Sequence, residues 1–144
     1  MKPALLALFA LVAVAALVWV VKSAAAANAP KTGAGEPGTK ITHADAEEAA
    51  QLVAAKKVAV LDVRTPREYA AGHIAGAELI DYSAPDFEKR LNALDKTKTL
   101  LVHCAAGGRS TKSLKLLQKL KFQSVVHLDG GLNAWLKAGK PVVK

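Results

Sequence analysis

The stretch LLVHCAAGGRSTKS, residues 100–113, holds the only cysteine in the chain. Cys104 ends an apolar run. Gly107, Gly108 and Arg109 follow closely, and then the hydroxyl residues Ser110, Thr111 and Ser113. A cysteine is a nucleophile only as the thiolate, which is favoured by inward backbone N–H groups, a helix N-terminus or a nearby cation. The two glycines allow left-handed dihedrals, so successive N–H groups can turn toward one point. The helix expected after them adds its positive end, and Arg109 adds a full charge. A buried structural cysteine needs none of this. Phosphate-ester hydrolysis and sulfur transfer both use nearly this arrangement.

The elements that must position Cys104 alternate in type. KIT (40–42) reads as a short strand, with Thr42 and Asp45 as a capping box for a helix over 43–55. That helix places Ala46, Ala49, Ala50 and Val53 on one face. VAVLDV (58–63) is a continuous apolar strand, as expected of a parallel sheet covered on both sides. A turn with a short helix follows, then a strand at AELI (77–80). A helix over about 84–94 has Phe87, Leu91 and Leu94 inward. TLLVHC (99–104) is a strand, and the helix 108–121 carries Leu114, Leu117 and Leu120. SVVHLD is the last main strand. The closing helix has Asp129 near its start and Gly139 at its end, before Pro141. Regular alternation of this kind predicts an α/β fold, a parallel sheet with helices on both faces. Ligands gather at the carboxyl ends of such strands, and Cys104 lies at one.

Composition bounds the rest. The 144 residues suit one domain, and about half are apolar. Residues 4–21 carry no charge, follow Lys2, and precede small residues with A-x-A triplets ending at Ala27 and Ala29. Residues 1–29 therefore read as a secretory signal peptide or, at eighteen apolar residues, as an N-terminal membrane anchor. Either places the remainder outside the cytoplasm, in the periplasm or on the outer face of the cytoplasmic membrane, with a membrane tether through 4–21 in the second case. Residues 30–39, rich in proline and glycine, form a flexible linker, which leaves 40–144 as the folded domain. A net charge of +8 suits anionic small molecules or an anionic membrane surface, and equally serves solubility. Nucleic acid is not expected, because Lys112, Lys115, Lys119 and Lys121 share a helix without interleaved aromatics. One cysteine excludes an internal disulfide, a C-x-x-C redox pair and a thiolate zinc site. The four histidines show no ligand spacing, so neither metal nor cofactor is expected.

HCAAGGRS resembles the active-site loop of the rhodanese superfamily. LDVRTPREYAAGHIAGAELI (61–80) is similar to the family's D-V-R…E-[YF]…G-H-I-x-G-A segment, and LDGGLNAWLKAGKPVV (128–143) to its closing G-G…W…G-[YKL]-P-V signature. The resemblance covers the whole folded region and points to the exported, single-domain, phage-shock-type members. It implies a rhodanese-like, five-stranded parallel sheet with helices on both faces. Spacing then separates the two chemistries. Tyrosine-type phosphatases and arsenate reductases place five residues between cysteine and arginine. Here four intervene, Ala105, Ala106, Gly107 and Gly108, as in rhodanese loops, and the smaller ring fits a sulfur atom better than a tetrahedral phosphate.

The resemblance implies sulfur transfer through a Cys104 persulfide. The thiolate takes sulfur from a small anionic donor such as thiosulfate, and a thiol or cyanide acceptor removes it. Backbone N–H groups of residues 105–109 would stabilise the anionic sulfur, and Arg109 would orient the donor or stabilise the persulfide. Ala105 and Ala106 depart from the cationic side chains that thiosulfate-preferring members often carry, which leaves the donor open. A non-catalytic persulfide carrier or protein-binding module is the alternative reading. Asp62 and Arg64, near the site, are supporting residues with a structural hydrogen-bond or ion-pair role. His103 is expected to point away from Cys104, because adjacent strand side chains face opposite sides. His73 is expected to fix its loop, Asp129 to cap the last helix, and Trp135 to lie in the core.

Overall fold

The computed structural model describes residues 38–144. The signal or anchor segment and most of the linker lie outside the described residues. Among these residues no helix is long and apolar enough to cross a membrane.

The chain alternates strictly: β1 Lys40–Ala44, α1 Ala46–Ala54, β2 Ala59–Asp62, α2 Pro66–Ala71, β3 Glu78–Leu79, α3 Phe87–Asn92, β4 Thr99–His103, α4 Gly108–Lys119, β5 Ser124–Leu128 and α5 Gly131–Lys137. The strands form one five-stranded sheet in the order β1-β5-β4-β2-β3, with every pairing parallel. The fold expected from the alternation is therefore the fold observed. Strand β4 sits at the centre, so its carboxyl end, where Cys104 follows, is flanked by strands on both sides.

Side chains alternate across the sheet, and each face has its own core. On one face Leu61, Leu100, Val102 and Val125 pack with Phe87 and Leu91 of α3 and with Leu114 and Leu117 of α4. On the other, Val60, Leu101, Val126 and Leu128 meet Ala46 and Ala49 of α1 and Leu132 and Trp135 of α5. Leu61, Leu101, Leu117 and Leu128 are fully buried, each worth roughly 2 kcal/mol of hydrophobic transfer. Cys104 belongs to the α3/α4 face. Trp135 is in the core as expected, its indole N–H donating to Pro141 O at 2.9 Å.

Two expected caps are corrected. Thr42 does not cap α1: β1 runs on to Ala44, and Thr42 is paired with Val126 inside the sheet. The cap is Asp45, whose Oδ1 accepts from Glu47 N and Glu48 N at 2.9 Å, while the Glu48 carboxylate returns to Asp45 N. Ladder hydrogen bonds took the residues the helix pattern claimed. Asp129 does not cap α5 either. The N-cap is Gly130, which makes no side-chain bond, and Asp129 Oδ1 instead faces His43 and His127.

Candidate active site

Cys104 is buried, at 1% exposure, between β4 and α4. The loop after it closes tightly. Gly107, at φ 102°, turns its N–H onto Cys104 Sγ at 3.1 Å. A side chain at that φ would be strained, so this glycine is the conformational requirement for the contact. Ser110, one turn into α4, brings its hydroxyl to 3.5 Å from the sulfur. Burial pushes the thiol up, but the Ser110 hydroxyl and the backbone N–H groups of Ser110, Gly107 and Ala106 outweigh it. Cys104 is held below the ordinary thiol value. The sulfur sits at the N-terminus of a twelve-residue helix, the end whose free N–H groups favour an anion.

The glycine pair after β5 braces this loop from the other side. Leu132 N donates to Cys104 O at 2.8 Å and Asn133 N to Ala105 O at 2.9 Å. That approach leaves no room for a side chain at Gly131: a Cβ there would stand 2.4 Å from Cys104 O and 2.8 Å from Ala105 O. Gly131 is also at φ 59°. The site thus depends on Gly131 although it carries no reactive group.

Arg109 does not stand free beside the sulfur. Its Nη1 and Nη2 donate to Glu68 Oε2 and Oε1 at 2.8 and 2.7 Å, the bidentate geometry that makes such pairs strong. The Arg109 bonds, together with those from Thr65, overcome burial and lower the Glu68 carboxyl to about 2. Glu68 in turn strengthens the hold of Arg109 on its proton, with a smaller contribution from Cys104. Glu68 was not among the expected site residues, although it is the glutamate of the D-V-R…E-[YF] segment. Its partner, 41 positions away, was invisible.

Asp62 and Arg64 form a buried ion pair. Arg64 Nη2 donates to Asp62 Oδ2 at 2.6 Å and Nε to Asp62 Oδ1 at 2.9 Å. The guanidinium also donates to the carbonyls of Glu68 and Gly72. Arg64 thereby holds the middle and the C-terminal end of α2, the helix that presents Glu68. The pair supports the site through α2. His103 lies opposite Cys104, on the far face of the sheet, as the strand alternation requires. Its Nδ1 donates to Cys104 O at 3.2 Å, and burial, partly opposed by Asp62, keeps the imidazole below its usual value and neutral. His73 does fix its loop: its ring stacks on Tyr69 at 3.7 Å, and its backbone pairs with Val143 in both directions.

Sequence spacing concealed one cluster altogether. His43 from β1, His127 from β5 and Asp129 after it meet beneath the Cys104 loop. Both imidazole Nδ1 atoms are turned to Asp129 Oδ1, at 2.8 and 2.9 Å. These are hydrogen-bond distances, and the three groups satisfy one another.

A parallel five-stranded sheet that aims a cysteine into a four-residue glycine loop at a helix N-terminus has relatives. Residues 45–138 match the rhodanese-like domain family, and the chain belongs to that family. It is 38% identical over 90 residues to the probable adenylyltransferase/sulfurtransferase MoeZ of Mycobacterium tuberculosis; the match covers 62% of this chain but only 23% of that one. It is 35% identical over 89 residues to the thiosulfate sulfurtransferase GlpE of Pseudomonas fluorescens, covering 61% of this chain and 79% of the relative. Among solved structures, a rhodanese-related protein from Thermoplasma volcanium superposes with a TM-score of 0.65 at 31% identity, covering 71% of this chain and 97% of the other.

Proposed function

We propose that the domain is a sulfurtransferase working through a persulfide on Cys104. The observation that carries this is the Gly107 N–H held 3.1 Å from Cys104 Sγ inside a four-residue loop, a donor aimed at a sulfur anion. The Cys104 thiolate attacks the outer sulfur of a donor such as thiosulfate. The S–S bond of the donor breaks, sulfite leaves with the bonding pair, and Cys104 carries the persulfide. A cyanide ion or thiolate then attacks the terminal sulfur and returns the Cys104 thiolate. Loop N–H groups receive the anion in both states. Arg109, already bound to Glu68, offers a guanidinium rim to the incoming anion and lacks the force of an unpaired cation.

The acceptor has a surface to approach. Beside the loop, Ala105, Glu68, Leu132, Leu136 and Val142 line a groove of about 420 Å³, and Leu136 is half exposed. Cyanide needs no such groove. The groove favours a thiol on a larger acceptor with an apolar body over cyanide, and a protein surface seated in it would fit the protein-binding alternative as well. The apolar run 4–21 supports export, with the domain on the outer face of the cytoplasmic membrane or in the periplasm.

The test is direct. The domain is incubated with thiosulfate, intact mass is recorded, and thiocyanate is measured after cyanide is added. The expected result is a mass gain of one sulfur atom and thiocyanate release, both abolished in Cys104→Ser. Turnover that survives in Cys104→Ser overturns the assignment. A persulfide that forms on Cys104 but turns over with neither cyanide nor a small thiol selects the carrier reading.

A further inference from the structure

The Ser110 hydroxyl has one hydrogen and more than one acceptor. Its Oγ lies 2.9 Å from His127 Nε2, 3.0 Å from Gly107 O and 3.5 Å from Cys104 Sγ. The Thr111 hydroxyl lies 2.8 Å from the same Gly107 O and 3.3 Å from His127 Nε2; Ser110, nearer the imidazole and the one hydroxyl that also reaches the sulfur, is the group that can link the two.

The choice is set from below. Asp129 Oδ1 faces the Nδ1 atoms of both His127 and His43. A carboxylate only accepts, so both Nδ1 atoms carry hydrogen. His127 then has two states. Neutral, its bare Nε2 accepts the Ser110 hydrogen, which leaves Ser110 Oγ to accept from the Cys104 thiol. Protonated, its Nε2–H donates to Ser110 Oγ and frees the Ser110 hydrogen for the sulfur. His127 is buried, at 3% exposure, directly under the loop: a Cβ on Gly107 would stand 3.9 Å from His127 Cε1. A buried imidazolium is costly unless it is paired, and Asp129 pairs it.

We propose that His127, oriented by Asp129, is a positioning residue that accepts the Cys104 thiol proton through Ser110. The thiol proton passes to Ser110 Oγ as the Ser110 proton passes to His127 Nε2. The products are a Cys104 thiolate and a His127 imidazolium, the serine is unchanged, and no other reactant is consumed. In the reverse direction the same path reprotonates a thiolate left free after sulfur delivery. The charged and titratable groups facing this path are Asp129 after β5, His43 from β1, and Arg109 from α4, whose guanidinium is bound to Glu68. His103 and Asp62 lie on the other face of the sheet.

The inference rests on Cys104 as the reacting group, and its test needs no sulfur donor. The rate of Cys104 alkylation by iodoacetamide, a neutral reagent that takes only the thiolate, is measured against pH in wild type, His127→Leu, Ser110→Ala and the double variant. We expect His127→Leu to raise the midpoint by roughly one unit, a tenfold loss of thiolate below it. Added to Ser110→Ala, the same substitution should move it by less than about a third of that, because removing the serine already cuts the path. Asp129→Asn, at an exposed position and keeping an oxygen that can accept from Nδ1, should raise the midpoint by an intermediate amount, with circular dichroism confirming the fold. An unchanged midpoint in both His127→Leu and Asp129→Asn overturns the proposal. So does an equal His127 effect with and without Ser110, which would mean a direct field and no relay. Alkylation that follows the expected pattern while thiosulfate is inert would defeat the sulfurtransferase reading and leave the relay standing.

Discussion

Arg109 and Glu68 are joined by two parallel N–H···O bonds of 2.8 and 2.7 Å, and this pair ties α4, which follows the nucleophile, to α2, which follows β2. Arg109 therefore carries its charge at the rim of the loop already half committed. The pair also leaves an acid signature. Glu68 titrates at about 2 against an ordinary 4.5, so the contribution is fully present above 4.5. It is lost as pH falls toward 2. Both side chains are about one-third exposed, and solvent screening limits the contribution to about 1 kcal/mol. Urea unfolding at pH 7 and pH 3 should show Glu68→Gln losing less stability than wild type between the two. Equal slopes would mean the pair is loose in solution.

Arg64 is the larger structural dependency. Replacing it with Met leaves Asp62 fully buried without its cation and frees the carbonyls of Glu68 and Gly72. Breaking a buried pair from one side costs roughly 3–5 kcal/mol. Chemical denaturation of Arg64→Met should show a loss in that range. A loss under about 1 kcal/mol would show that water reaches the pair.

Gly131→Ala tests the brace beneath the loop. The new Cβ would fall on Cys104 O and Ala105 O, and φ 59° adds backbone strain. A destabilisation of roughly 3 kcal/mol is expected, with a drop in Cys104 alkylation rate even under conditions where the variant stays folded. Normal stability with normal reactivity would mean that α5 can withdraw at little cost. Gly108→Ala is the control, since its Cβ meets nothing within 4 Å.

The four-residue gap between Cys104 and Arg109 predicts negligible hydrolysis of aryl phosphates. Nitrophenol release from p-nitrophenyl phosphate should stay at the background rate in wild type and in Cys104→Ser alike. Efficient release that depends on Cys104 would show that the loop opens enough to enclose a tetrahedral phosphate.

Much of the molecule was legible in the chain. The apolar runs at 58–63 and 99–104 and the helical patterns between strands specify a parallel sheet, because only a sheet covered on both faces needs strands without polar alternation. The loop was legible in part for a related reason: Gly107 acts through its left-handed φ, and dihedral preference is local, whereas Gly108, expected to share that conformation, is the first residue of α4 with no positive φ. Local reading failed where two interactions competed for the same residues. Thr42 has the right spacing for a cap, but the ladder with β5 reached Ala44 first.

What remained hidden was every partner brought from another strand or helix. Arg109 in isolation reads as an unpaired cation, and only the tertiary fold brings Glu68 of α2 within reach of it. Asp129 reads as a helix cap from its neighbours in sequence, yet parallel registration of β1 with β5 pairs His43 with His127 and puts its carboxylate between their rings. The sequence by itself determined the nucleophile, the turn around it and the layered architecture, because those follow from residue type and short-range spacing. Tertiary structure alone decided which charges meet, because ion pairs and proton paths depend on distances between segments that the chain order does not constrain.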